Sequence, residues 1–212
     1  MKNLKKINYG LYIVYAITLI YAYYENFITN DMNGVGMCLV STLLPLLVPV
    51  AFKLFKWKHV DEIDTIAIIF IYFASLIGSC LGGYSITGFD KVLHFSSGLF
   101  ATLIAIILYI FIKKETRIED KQERTIFYIF INAVNLSIAI FWEFYEFAML
   151  VFFNNDCINH YSTGVYDSIT DILCAFIGGL IVFFIVYKYY KTNKKTFFIN
   201  LYEKFYLTNI KK

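Results

Sequence analysis

The chain has 212 residues, 59% hydrophobic, 20% aromatic and 17% charged, with a formal net charge of +3. Soluble domains are about 45–50% apolar, so this composition excludes an ordinary water-soluble enzyme and points to an integral membrane protein. No nucleic-acid module is present, which leaves membrane lipids as the expected partners, and Cys38, Cys80, Cys157 and Cys174 lack the CxxC spacing of zinc-finger or thioredoxin chemistry.

Lys2, Lys5 and Lys6 open the chain, and an apolar run follows from about Ile7 to Tyr24. That run is too long for a signal-peptide core and no small-x-small site ends it, so it reads as a retained first span. Glu25 to Gly34 is a short loop without Lys or Arg. Val35 to Phe52 is the second span, which Pro45 and Pro49 should bend. Lys53 to Glu62 is a basic turn with Trp57 at the interface. Ile63 to Tyr84 is the third span, where Gly78 and Gly82 form a GxxxG that predicts close approach of another helix. Ser85 to Asp90 turns the chain into a fourth span, Lys91 to Ile112. A mixed-charge loop, Lys113 to Thr125, leads to the fifth, Ile126 to Phe153. A polar loop with a turn at Gly164 precedes the sixth, Asp167 to Tyr187. Beyond it, Phe197, Phe198, Leu201, Phe205 and Tyr206 alternate with lysines, which suits a basic amphipathic helix on the membrane or a disordered tail.

The expected fold is therefore all-α. Residues 1–190 form a polytopic transmembrane helical bundle of about six helices, and residues 191–212 form a cytoplasmic tail. Lys and Arg set the orientation: 18 of the 19 fall in the N-terminal segment, the loops after spans two and four, and the segment after span six. Lys91 alone falls on the other side. The positive-inside rule then places both termini in the cytoplasm, in a bacterial cell membrane.

The fifth span contains Trp142-Glu143-Phe144-Tyr145-Glu146 inside an otherwise apolar run. A carboxylate at membrane depth costs about 3 kcal/mol or more, so it must find a partner, a proton or the protein interior. Asn132, Asn135, Ala139, Glu143 and Glu146 fall within about 80° of one another at 100° per residue. On span four, Asp90, His94, Ser97 and Ala101 share a face that continues through Ala105, and Ile104 and Ile106, about 200° apart on the helix, should not both face the core. On span six, Asp167, Asp171, Cys174 and Gly178 share a face. The topology puts all three stripes in the outer half of the membrane. Asp90, and Asp167 or Ser168, also suit helix N-caps, and a lone His94 suits hydrogen-bonded packing. Glu143 and Asp171 lie too deep for capping.

The segments Phe89-Asp90-Lys91-Val92-Leu93-His94-Phe95, Trp142 to Glu146, and Asp167-Ser168-Ile169-Thr170-Asp171 with Gly178-Gly179 resemble the YjdF-like family of uncharacterised bacterial membrane proteins. More distantly, they resemble VanZ-like proteins linked to glycopeptide resistance. The resemblance covers about Gly82 to Ile185, and Asp171 departs from the VanZ-like pattern, which often has Asn there. It implies a multi-span protein with an envelope-related role and supplies no reaction.

Five carboxylates face one lysine and one histidine, so the cluster needs protons or a cation. The leading expectation is binding or processing of an envelope lipid or lipid-linked molecule through Asp90, Lys91, His94, Glu143, Glu146, Asp167 and Asp171. A second is an intramembrane metal-dependent hydrolase, with a divalent metal on His94, Glu143, Glu146 and Asp171. His94, Glu143 and Asp171 are then its catalytic candidates. A third is a scaffold with a self-satisfied polar core. No HExxH or GxSxG motif supports a named chemistry, and the lack of an internal repeat counts against a transporter.

Overall fold

The computed structural model describes residues 2–211, and no strand occurs among them. The helices are α1 (Lys2–Ile28), α2 (Met32–Leu43), α3 (Leu47–Leu54), α4 (Asp61–Ile71), α5 (Phe89–Lys113), α6 (Lys121–Phe153), α7 (His160–Thr163), α8 (Tyr166–Thr192) and α9 (Phe197–Asn209). A 3-10 turn, Leu44–Leu46, joins α2 to α3, and α4 runs on as a π-helical stretch, Tyr72–Cys80. Six of the resulting helices are long and apolar enough to cross a membrane. The contacts group into two compact units, one ending at Phe89 and the other beginning at Asp90.

In the first unit, Tyr15, Ala22, Cys38, Ile68, Leu76 and Cys80 form the core. Asn26 and Tyr15 are tied to backbone carbonyls inside it. Asn26 Nδ2 donates to Ala22 O at 2.8 Å and to Cys80 O at 2.9 Å, linking α1 to the end of the π-helical stretch. Tyr15 OH donates to Ser41 O at 2.7 Å. Pro45 falls in the 3-10 turn and Pro49 in the first turn of α3, where a missing N–H costs no helix bond. The second span is interrupted there. The GxxxG expectation fails. Gly82 has φ +73°, outside the helix, and a Cβ on Gly78 would strike the Tyr84 ring of the following turn at 2.6 Å, not a neighbouring helix.

The second unit is built on α5, α6 and α8, with α8 held against both of the others by its two glycines. A Cβ on Gly178 would lie 2.0 Å from Phe95 O of α5, and one on Gly98 of α5 would lie 1.8 Å from Ala175 O of α8. A Cβ on Gly179 would meet Asn135 Nδ2 of α6 at 2.1 Å. Asn135 Nδ2 instead donates to Ala175 O at 3.2 Å. Small residues permit this backbone-to-backbone approach between membrane helices. In α9, Ile199, Leu201, Tyr202 and Phe205 are buried. Tyr206 OH donates to Lys114 O at 2.5 Å, and Tyr189 OH of α8 donates to Glu203 Oε1 at 3.1 Å.

Ile104 and Ile106 do not both face the core: Ile104 is 56% exposed, whereas Ile106, like Ala105, is fully buried. The α5 helix is covered over a wider sector than its polar face. One turn past Ile106, Tyr109 packs on Phe127 and Phe130 of α6, with ring centroids at 4.9 and 5.3 Å.

Candidate functional site

Helical spacing sets the positions. Asp90 and His94 stand four residues apart in the first two turns of α5, and Glu143 and Glu146 stand three apart on α6. Asp167 and Asp171 stand four apart at the start of α8. Residues three or four apart share a helix face, so each helix presents a pair of polar groups. The α5 and α8 starts and the C-terminal half of α6 meet at one end of the second unit.

Lys91 bridges the acids of α5 and α8. Its Nζ lies 2.5 Å from Asp167 Oδ1, 2.8 Å from Asp171 Oδ1 and 3.8 Å from Asp90 Oδ2. Asp167 Oδ2 also accepts from Asn159 Nδ2 at 2.7 Å. Asp167 thus serves Lys91 and the preceding loop and does not cap α8, whose start has no side-chain cap.

His94 sits between two sets of carboxylates. Its Nε2 lies 3.4 Å from Asp90 Oδ1 and 3.8 Å from Asp171 Oδ1, and its Nδ1 lies 4.0 Å from Glu143 Oε1. These separations exceed an ordinary N–H···O hydrogen bond. His94 and Glu143 are each 6% exposed and Asp171 is fully buried. Glu143 has the Ser168 side chain beside it as a donor, although neither of its carboxylate oxygens makes a hydrogen bond of good geometry. Glu146 Oε1 accepts from Trp142 Nε1 at 2.8 Å. The neighbouring serines play no part with the imidazole: Ser96 Oγ donates to Val92 O and Ser97 Oγ to His94 O, both within α5.

The cluster contains two sets of three side chains whose nearest ligand atoms lie within 4.8 Å of one another: Asp90, His94 and Asp171, and His94, Glu143 and Glu146. His94 belongs to both. Lys91 lies beside both carboxylates of the first set. The second has no lysine or arginine beside it among the ion pairs of the described residues. The structure therefore brings together all seven residues expected from sequence, and it separates them into a lysine-bridged half and a lysine-free half.

Sequence reasoning overlooked one further group. His59, Asp61 and Asp64 also bring three ligand atoms within 4.8 Å, at the start of α4. His59 Nε2 contacts Asp64 Oδ2, while Asp64 Oδ1 is buried without a donor. The signal was the spacing His-x-Asp-x-x-Asp, which reads as part of a basic turn because Lys53, Lys56 and Lys58 precede it.

The family described as "Predicted membrane protein (DUF2238)" matches residues 7–192. No curated protein and no solved structure matches the chain. The match spans all six apolar helices and the whole carboxylate cluster, so the chain belongs to that family and is a multi-pass membrane protein.

Proposed function

We propose that this DUF2238 protein holds a divalent cation on His94, Glu143 and Glu146. Through that ion it would bind or process the phosphate-bearing part of an envelope lipid or lipid-linked molecule. The observation that carries the reading is Glu143. Glu143 is a buried carboxylate 4.0 Å from an imidazole nitrogen, clustered with Glu146 and with no lysine or arginine paired to it, and such a group is costly unless a positive charge meets it. One imidazole and two carboxylates suit Zn²⁺ or Mn²⁺. Three protein ligands leave a coordination position for a phosphoryl or carbonyl oxygen, which the ion would polarise as a Lewis acid. With Nδ1 turned to Glu143, His94 turns Nε2 to Asp90 and Asp171, and such outer carboxylates orient a ligating imidazole. Lys91 pairs with both Asp167 and Asp171 and supports their charged forms.

The distribution of Lys and Arg supports cytoplasmic termini, which would place the cluster toward the outer surface of a bacterial cell membrane. The resemblance of the three motifs to YjdF-like and VanZ-like proteins supports an envelope role. Labelling an introduced cysteine at Arg117 with a membrane-impermeant reagent checks the orientation: protection in intact cells is expected, and labelling overturns it.

Metal analysis of the full chain, purified in detergent and reconstituted with Zn²⁺ or Mn²⁺, tests the centre. About one ion per chain is expected, lost in Glu143→Gln and kept in Ser96→Ala. Absence of bound metal in the unaltered protein overturns the reading and favours a scaffold with a self-satisfied polar core.

A further inference from the structure

At the opposite end of the second unit, the start of α6 and the end of α8 enclose a cavity of about 390 Å³. Lys121, Arg124 and Lys191 line it together with Tyr128, Tyr187 and Tyr190. The Arg124 guanidinium lies 5.1 Å from the Tyr190 centroid, with its Nη1 donating to Ile118 O at 3.4 Å, and Lys191 Nζ lies 4.5 Å from the Tyr187 centroid. None of the three forms an ion pair with a carboxylate among the described residues. The nearby acids are engaged elsewhere. Glu123 pairs with Lys113, and Asp120 Oδ1 accepts from Glu123 N at 2.7 Å.

We infer that this cavity binds the phosphodiester headgroup of an anionic membrane phospholipid. Three cations without acidic partners select an anion, and the planar fork of Arg124 matches a phosphate. The position of the cavity selects a lipid over a free anion. Lys121 is the first residue of one membrane span, and Lys191 is the penultimate residue of another, which puts the cations at headgroup level. Ile129 lies one turn inward of Thr125 on α6, and Phe184 lies two turns inward of Lys191 on α8. Both are more than half exposed and offer an apolar track for an acyl chain. Basic pockets between membrane helices recognise anionic headgroups in this way. The proposal is independent of any metal at His94.

The test uses the full chain in detergent micelles and measures binding of a fluorescent phosphatidylglycerol, with fluorescent phosphatidylcholine as the neutral control. Phosphatidylglycerol should bind at least tenfold more tightly, and raising NaCl should weaken it. Lys121→Gln with Lys191→Gln should reduce the affinity at least fivefold, and adding Arg124→Gln should abolish the preference over phosphatidylcholine. Lys188→Gln, an exposed change one turn from Lys191, should leave it intact. Because Arg124 also stacks on Tyr190, the two-lysine variant alone decides if the triple variant fails to fold. Equal binding of the two lipids overturns the proposal, as does full retention in the two-lysine variant. Displacement by millimolar inorganic phosphate would identify a free-anion site and overturn it too.

Discussion

Lys91 Nζ lies 2.8 Å from Asp171 Oδ1, and that same oxygen lies 3.8 Å from His94 Nε2. One buried carboxylate therefore joins the lysine-bridged half of the cluster to the imidazole. Removing Lys91 leaves Asp171, fully buried, without its nearest cation. Losing one member of a buried pair costs about 3–5 kcal/mol. The Lys91 side chain is about one-third exposed, so solvent screening reduces the cost to roughly 2 kcal/mol. Lys91→Met should destabilise by that amount, and Lys91→Met with Asp171→Asn should recover at least half. Denaturation of both variants in detergent checks it; additive losses would mean that the two side chains act independently.

Much of the fold and the cluster was legible because a membrane punishes exceptions. An apolar run must be a helix, and a charge inside it must face the protein. The same constraint aligned Asp90, His94, Glu143, Glu146 and Asp171 before any coordinates. Pairing was not legible: nothing in the spacing shows that Lys91 takes Asp167 and Asp171 while Glu143 is left to His94. Nor could the pattern show which apolar residues face protein and which face lipid, since Ile, Leu and Phe suit both. The GxxxG at Gly78 and Gly82 misled for a related reason, because a glycine at the end of a span serves a left-handed turn as readily as a helix contact.

Ile104 and Ile106 make that ambiguity measurable. They are chemically identical and two residues apart, yet one is mostly exposed and the other fully buried. Ile106→Ala should open a cavity beside Tyr109 and cost about 2 kcal/mol or more. Ile104→Ala should stay within about 0.5 kcal/mol. Comparison of unfolding midpoints in detergent decides it, and equal losses would count against the packing of α5.

Cys157 reports on the loop between α6 and α7. Burial, and after it the Glu146 carboxylate, pushes its thiol up to about 11. The thiolate is the reactive form, so at pH 8 only about 0.1% of Cys157 is nucleophilic. Alkylation by iodoacetamide should be slow at pH 8 and rise nearly tenfold per pH unit up to about 11. A neighbouring negative charge disfavours the thiolate, so Glu146→Gln should lower the pKa and speed labelling several-fold at pH 8. Peptide-level mass spectrometry follows the site. Labelling of the unaltered protein at pH 8 as fast as in an unfolded peptide would contradict the burial.

Glu143 separates a binding centre from a packing residue. With 6% exposure and no hydrogen bond of good geometry to either oxygen, its charge opposes folding of the metal-free protein. Removing that charge should stabilise the metal-free chain, because a buried carboxylate whose contacts are limited to His94 and Ser168 costs more than a neutral side chain of similar shape. Glu143→Gln should therefore gain roughly 1 kcal/mol without metal. Stability given up at a binding residue is recovered when the ligand binds. A site saturated at about 100 times its Kd contributes about 2.7 kcal/mol. Zn²⁺ or Mn²⁺ should thus raise the Tm of the unaltered protein and leave that of Glu143→Gln unmoved, reversing their order. Glu123→Gln, which removes a carboxylate already paired with Lys113, should show the ordinary pattern: no gain without metal, and the full metal-dependent shift. Should Glu143→Gln instead destabilise the metal-free chain, Glu143 has a structural partner and the cluster is a packing device.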